Sequence, residues 1–246
     1  MPALLGEQAK KYKFGKIDIS GREFRIYPPD SHEFVLKKLM ENKKPFIVVD
    51  FTHPTAVNMN ARLYCHLGIP FVMGTTGGDR EELERIIQTS PTSAVIAPNM
   101  AKQIVGFQAM MDYAAKNFPG LFDGFQMKIL ESHQAGKADT SGTAKAMVEH
   151  FNAMGVSFSV DQIQMIRSAE EQKKLGVPEK CLNGHGWHTY RLESDDGTVY
   201  FSFTHNVNGR DIYCRGTADA IRFLAVMVQQ GERGRAFSMI DVLRGV

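Results

Sequence analysis

Residues 46–51 read F-I-V-V-D-F, residues 69–73 read I-P-F-V-M and residues 94–97 read A-V-I-A. Each is a short, continuous apolar run, the form taken by a strand buried on both faces of a parallel sheet. Between the first two, Pro54 stands where a helix can begin and Gly68 where it should end. Between the last two, Asp79 and Glu82 have the spacing of a capping box for a second helix. Strand, helix, strand, helix, strand implies a parallel α/β sheet with right-handed crossovers. Ligands of such sheets bind beyond the carboxyl ends of the strands. The residues to weigh are therefore Asp50-Phe51-Thr52, Gly74-Thr75-Thr76-Gly77 and Pro98-Asn99-Met100. Glycine-rich turns usually just turn, and Asn99 reads equally well as a turn residue.

Upstream, Lys16-Ile17-Asp18-Ile19 and Glu23-Phe24-Arg25-Ile26-Tyr27 alternate around Ser20-Gly21, which predicts a short hairpin. Pro28-Pro29 ends it, and Ser31 can cap a helix carrying Phe34, Val35, Leu36 and Leu39. Downstream of Asn99 a long helix is expected up to Phe118-Pro119-Gly120. Strands are expected at 125–130, 162–166, 187–192, 199–206 and 212–214, with a hairpin turn at Ser194-Asp195-Asp196-Gly197 and a helix over 218–230. The second half thus reads as an open sheet with helices on one side. The Met110-Met111 pair reads as core.

Residues 131–144 read E-S-H-Q-A-G-K-A-D-T-S-G-T-A. The segment before them alternates like a half-buried strand. The segment after them places Met147, Val148, Phe151 and Met154 at helical spacing. His133 and Lys137 therefore fall on a loop leaving a strand, and Ser141-Gly142-Thr143 opens a helix. A helix start presents unpaired N–H groups and a positive dipole end, suited to a carboxylate or phosphate. Taken singly, Ser141 or Thr143 reads as a cap and His133 and Lys137 as solvated loop residues. Taken together they read as a site. Glu131 either orients His133 or is a strand-end carboxylate.

This stretch resembles the substrate loop of the 4-hydroxy-tetrahydrodipicolinate reductase (dihydrodipicolinate reductase) family, E-x-H-H-x-x-K-x-D-x-x-S-G-T-A. Glu131, His133, Lys137 and Asp139 match position for position, Ser141, Gly142, Thr143 and Ala144 match with one residue fewer after Asp139, and Gln134 replaces the second histidine, as in the plant-type branch. The resemblance runs from about residue 47 to the C-terminus. It implies a partial Rossmann-like parallel-sheet domain (residues 1–100 and 216–246) and an α+β substrate and tetramerisation domain with an open mixed sheet (101–215). It implies NADPH or NADH as cofactor, beside Phe51, Gly74, Thr75, Thr76 and Asn99. It further implies a cyclic dicarboxylate substrate reduced in lysine and diaminopimelate synthesis. His133 would be the general acid, Lys137 a carboxylate anchor, Ser141-Gly142-Thr143 a second anion site, and Arg210 a flanking arginine. A homotetramer in the cytoplasm, or in the plastid stroma for a plant or alga, completes the expectation. The chain departs from the family in having neither G-x-G-x-x-G nor G-x-x-G-x-x-G anywhere. Two expectations follow: a piece of a longer reductase, or a non-enzymatic relative that keeps the substrate domain as a binding or assembly module.

Composition narrows the alternatives. The net charge is +2 over 246 residues, and Lys and Arg are scattered, so nothing suggests nucleic acid as a partner. No apolar run has membrane-spanning length, and Met1-Pro2-Ala3-Leu4-Leu5-Gly6 has no secretory core. Cys65, Cys181 and Cys214 are odd in number and far apart, which suits a reducing compartment with the thiols as small buried hydrophobes. His185-x-x-His188 with His205 and Cys181 suggests a metal, but that spacing puts the first two on opposite faces of a strand, so no metal is expected. A Ser141/His133/Asp139 triad lacks a nucleophile elbow.

Overall fold

The computed structural model describes residues 2–4 and 15–245, so the first six residues fall only in part within it. The chain divides into two compact units, one formed by Met1–Asn99 and Thr217–Val246, the other by Met100–Gly216.

In the first unit, β1 (Pro2–Leu4) runs parallel to β3 (Arg22–Tyr27), which pairs antiparallel with β2 (Lys16–Ile19). The expected hairpin forms, with Ser20 and Gly21 both at positive φ in its turn. Next comes α1 (His32–Glu41), which buries Val35 and Leu36 and leaves Phe34 exposed. Then β4 (Val48–Asp50), α2 (Val57–His66), β5 (Phe71–Met73), α3 (Arg80–Gln88) and β6 (Ala94–Ile96) follow the expected alternation. Asp79 caps α3 by accepting from the Glu82 N–H at 3.0 Å; the Glu82 side chain pairs with Arg62. β5 is wholly buried. The 46–51 run, expected to be buried on both faces, forms a shorter strand at the sheet edge, and Val49 is 42% exposed.

The second unit begins with α4 (Lys102–Asn117), then β7 (Phe125–His133), α5 (Gly142–Ala153), β8 (Gln164–Ile166), α6 (Ala169–Leu175), β9 (His185–Ser194) and β10 (Tyr200–Asn208). The sheet order is β10-β9-β7-β8, antiparallel except for the parallel β7–β8 pair. Met147, Val148 and Phe151 of α5 pack with Ile129, Tyr190 and Leu192 of the sheet. Each such burial is worth roughly 1.5–3 kcal/mol, which holds the helix start at the end of β7. Met111 belongs to this core, whereas Met110 is exposed.

Residues 212–214, expected as a strand, lie in α7 (Asp211–Gln229). A β-branched residue and an aromatic favoured the strand. Gly209, at φ +81, ends β10, and Asp211 sits in the first turn of the helix, where a carboxylate suits the dipole. The chain then adds β11 (Ala236–Phe237), parallel to β6, and α8 (Met239–Gly245). The first unit's main sheet is therefore all parallel, in the order β11-β6-β5-β4. No helix among the described residues is long and apolar enough to cross a membrane. Of the three thiols only Cys65 is buried; Cys214 is exposed.

Candidate active site

β7 runs three residues further than its alternation suggested, so Glu131 and His133 lie on the strand rather than in the loop. Residues two apart on a strand share a face. On that face Glu131 pairs across β7–β9 with His188, and His188 pairs across β9–β10 with His205. His133 lies opposite Gly186, whose missing side chain makes room for the ring. A Cβ there would stand 3.0 Å from His133 Cε1. His185 points to the other face, as the H-x-x-H spacing implied, where its Nε2 meets Ser132 Oγ at 2.8 Å.

Glu131 does not touch His133 by a hydrogen bond, and it is more than a strand-end carboxylate. Its side chain is fully buried. One oxygen meets the Arg167 guanidinium at 2.5 Å, and the other accepts from the Ser141 N–H at 3.0 Å. A strand carboxylate thereby fastens the start of α5, and Arg167 also donates to the Lys137 carbonyl at 2.8 Å. Gln172, buried on α6, donates to the His133 carbonyl at 2.7 Å. Arg167 and Gln172 escaped sequence reading because each acts through backbone carbonyls some thirty or more positions away, which leaves no local pattern.

His133 Nδ1 lies 3.1 Å from the His185 carbonyl and Nε2 lies 3.4 Å from His188 Nε2. Burial holds the His133 imidazole below its ordinary proton affinity. Glu131 opposes that shift, while Arg167 and Lys137 add to it. His188 is pushed down to about 2, chiefly by burial and then by the neighbouring His205 and His133. Lys137 Nζ pairs with Asp139 at 2.8 Å, and that contact lowers the Asp139 carboxyl. Glu131, His133 and His188 place one donor atom each within 4.8 Å of one another. The carboxylate oxygens are already bonded to Arg167 and Ser141, and of the three groups only His133 and His188 meet within hydrogen-bond distance.

A cavity of about 210 Å³ opens here, lined by His133, Lys137, His185, Gly186, Arg210 and Tyr213 among others. Three of the sequence-derived residues, His133, Lys137 and Arg210, thus share one hollow. Ser141, Gly142 and Thr143 do not line it. Ser141 is buried, with its N–H turned to Glu131; Gly142 is exposed, with nothing within 4 Å of where a Cβ would stand.

The other candidates lie in the first unit, at the carboxyl ends of its strands. Asp50, buried, accepts from Thr52 N and Oγ1, Asn60 Nδ2 and Tyr64 OH at 2.7–2.9 Å. Thr75 Oγ1 reaches the Thr52 carbonyl at 3.3 Å and Asp50 at 3.4 Å, so one carboxylate ties together the 50–52 and 74–77 loops. Phe51 is 56% exposed, and its ring covers Gly74 so closely that a Cβ would stand 2.1 Å from it. Thr76 is exposed and Asn99 half-buried. A hollow of about 220 Å³ near the ends of β6 and β11, lined by Arg80, Pro98 and Phe237 among others, includes none of these five.

Residues 17–100 match the family model described as dihydrodipicolinate reductase, N-terminus, and residues 104–243 match dihydrodipicolinate reductase, C-terminus. The chain is 48% identical over 231 residues to a probable 4-hydroxy-tetrahydrodipicolinate reductase 1, chloroplastic, of Oryza sativa subsp. japonica, covering 94% of this chain and 67% of the relative. It is 48% identical over 230 residues to 4-hydroxy-tetrahydrodipicolinate reductase 1, chloroplastic, of Arabidopsis thaliana, covering 93% and 66%. The chain thus spans about two thirds of the length of these relatives. A solved dipicolinate-bound dihydrodipicolinate reductase from Paenisporosarcina sp. TG-14 shares the fold, with a TM-score of 0.61 at 16% identity over 98% of each chain. With both halves matched by its models and near-half identity to plant members, the chain belongs to the dihydrodipicolinate reductase family, on the plant-type side.

Proposed function

We propose that this chain reduces the dehydrated form of 4-hydroxy-tetrahydrodipicolinate to tetrahydrodipicolinate, with hydride from NADPH or NADH, in lysine and diaminopimelate synthesis. The observation that carries this reading is the cavity into which one imidazole, one ammonium and one guanidinium converge. A ring with two carboxylates needs two cationic or N–H-rich anchors and a proton source. Lys137 serves as a point-charge anchor. The second carboxylate is held by Arg210, which lines the same cavity. His133 supplies the proton as hydride reaches the ring. Its two nitrogens rest on protein partners, and catalytic contacts commonly tighten only once substrate is bound.

Phe51, Gly74, Thr75, Thr76 and Asn99 are assigned to the nicotinamide side, with the buried Asp50 fixing the two loops that carry most of them. The plastid label of the plant relatives favours the stroma, and a homotetramer through the second unit is the expected assembly.

The test is oxidation of NADPH and of NADH with enzymatically generated substrate, beside calorimetric binding of dipicolinate. His133→Asn should lower kcat roughly 10²–10⁴-fold with a smaller effect on KM, and Lys137→Met should impair both. A folded chain that binds dipicolinate but oxidises neither nucleotide would support the binding-module reading instead.

A further inference from the structure

We infer that His188 is a positioning residue for His133, donating its Nε2–H to His133 Nε2 and so holding that imidazole neutral, in one tautomer, with its edge against Gly186. The inference rests on the reductase reading only for its catalytic consequence, since the hydrogen bond itself is readable without activity.

The assignment follows from what each partner can accept. The His185 carbonyl has no proton to give, so His133 Nδ1 carries the hydrogen of their 3.1 Å contact. A neutral His133 then presents a bare lone pair at Nε2, 3.4 Å from His188 Nε2. His188 is 4% exposed and burial keeps it neutral, so it too carries one hydrogen. On Nδ1 that hydrogen would be a buried donor without a partner among the described residues. The His188 Nε2 lone pair would then face both the His133 lone pair and Glu131 Oε2, 3.8 Å away. Three electron-rich atoms would meet with no proton between them. On Nε2 the hydrogen joins His188 to His133 with the carboxylate nearby, and only an acceptor is left unpaired, the cheaper of the two defects.

His188 is held in turn by the sheet. Its ring stacks on His205, with centroids 4.6 Å apart, and the Tyr190 hydroxyl meets His205 Nε2 at 3.3 Å. The ionisable groups facing His133 are Glu131 on its own strand, Lys137 and Arg167 from the loops, His188 from the neighbouring β9 and His205 from β10 beyond it, with Arg210 and Tyr213 lining the same cavity. A hydrogen bond to the neutral form disfavours protonation. His188 therefore makes protonated His133 a readier proton donor.

The experiment is NMR of the ring nitrogens, with proton titration of His133, in the wild type, His188→Leu and His188→Gln. The wild type should show neutral His133 as the Nδ1–H tautomer and neutral His188 as the Nε2–H tautomer. His188→Leu should raise the His133 pKa by roughly half to one unit, the worth of one neutral hydrogen bond. His188→Gln, whose amide can donate from a similar place, should return it toward the wild-type value. Where the enzyme turns over, the alkaline fall of kcat/KM should move upward with the His133 pKa in His188→Leu and back in His188→Gln. An Nδ1–H tautomer at His188, or a His133 pKa unmoved in His188→Leu, overturns the inference. Lack of turnover with the expected NMR result overturns the reductase reading alone.

Discussion

Replacing Arg167 with Met tests how the site is held together. Glu131 has no exposed surface and sits between two partners, the Arg167 guanidinium at 2.5 Å and the Ser141 N–H at 3.0 Å. Arg167→Met removes the only cation bonded to that carboxylate among the described residues and leaves a buried anion with a single backbone donor. Breaking one side of a buried pair costs about 3–5 kcal/mol, because the remaining charge has lost its compensation. The opposite change, Glu131→Gln, keeps an acceptor for Ser141 and leaves Arg167, which is partly exposed and still bonded to the Lys137 carbonyl. Its cost should therefore be smaller, about 1–3 kcal/mol. The double variant should be more stable than Arg167→Met alone. Trp187, the sole tryptophan, pairs with Ser132 beside this cluster, so urea unfolding followed by its fluorescence reports on this unit directly. A loss below about 1 kcal/mol for Arg167→Met, or equal losses for both single variants, would refute the reasoning.

Gly186→Ala should leave the fold intact yet lower turnover at least tenfold, since the new Cβ would press on His133 Cε1 at 3.0 Å; steady-state kinetics with a thermal melt checks both halves. Asp50→Asn turns one of the two acceptor oxygens into a donor facing two of the four donor contacts, so it should cost about 1–3 kcal/mol and raise KM for the nucleotide more than KM for the dicarboxylate. Acid should destabilise the second unit. His188 and His205 have folded pKa values of about 2 and about 4, below the unfolded value near 6.5, so the unfolded chain binds protons first. Stability is then full above about pH 6.5 and falls as pH drops, by up to about 1.4 kcal/mol per unit for the more deeply buried His188. Urea midpoints between pH 7 and pH 5 measure the slope, and His188→Phe should flatten it.

The parallel sheet was legible because its signal is local. Runs such as residues 69–73 are apolar throughout, and Asp79 and Gly68 mark helix ends by chemistry that acts within a turn. The E-S-H-Q-A-G-K motif likewise pointed to His133 and Lys137, because a strand end followed by a helix start is written in consecutive residues. The strand expected at 212–214 gives way to a helix for the complementary reason: two β-favouring residues, Ile212 and Tyr213, are too few to outweigh the helix that continues beyond them.

By itself, then, the order of residues determined the alternation of strands and helices, the sheet type of the first unit, and which imidazole and which amine lie near a helix start. Only the tertiary structure decided that Glu131 is bound to Ser141 and Arg167, that His188 faces His133, and that Arg210 shares their cavity while Ser141 does not. The physical reason is range. Propensity, capping and periodicity act within a few residues, whereas strand register and buried hydrogen bonds join positions ten to eighty apart, and nothing in the intervening sequence announces them.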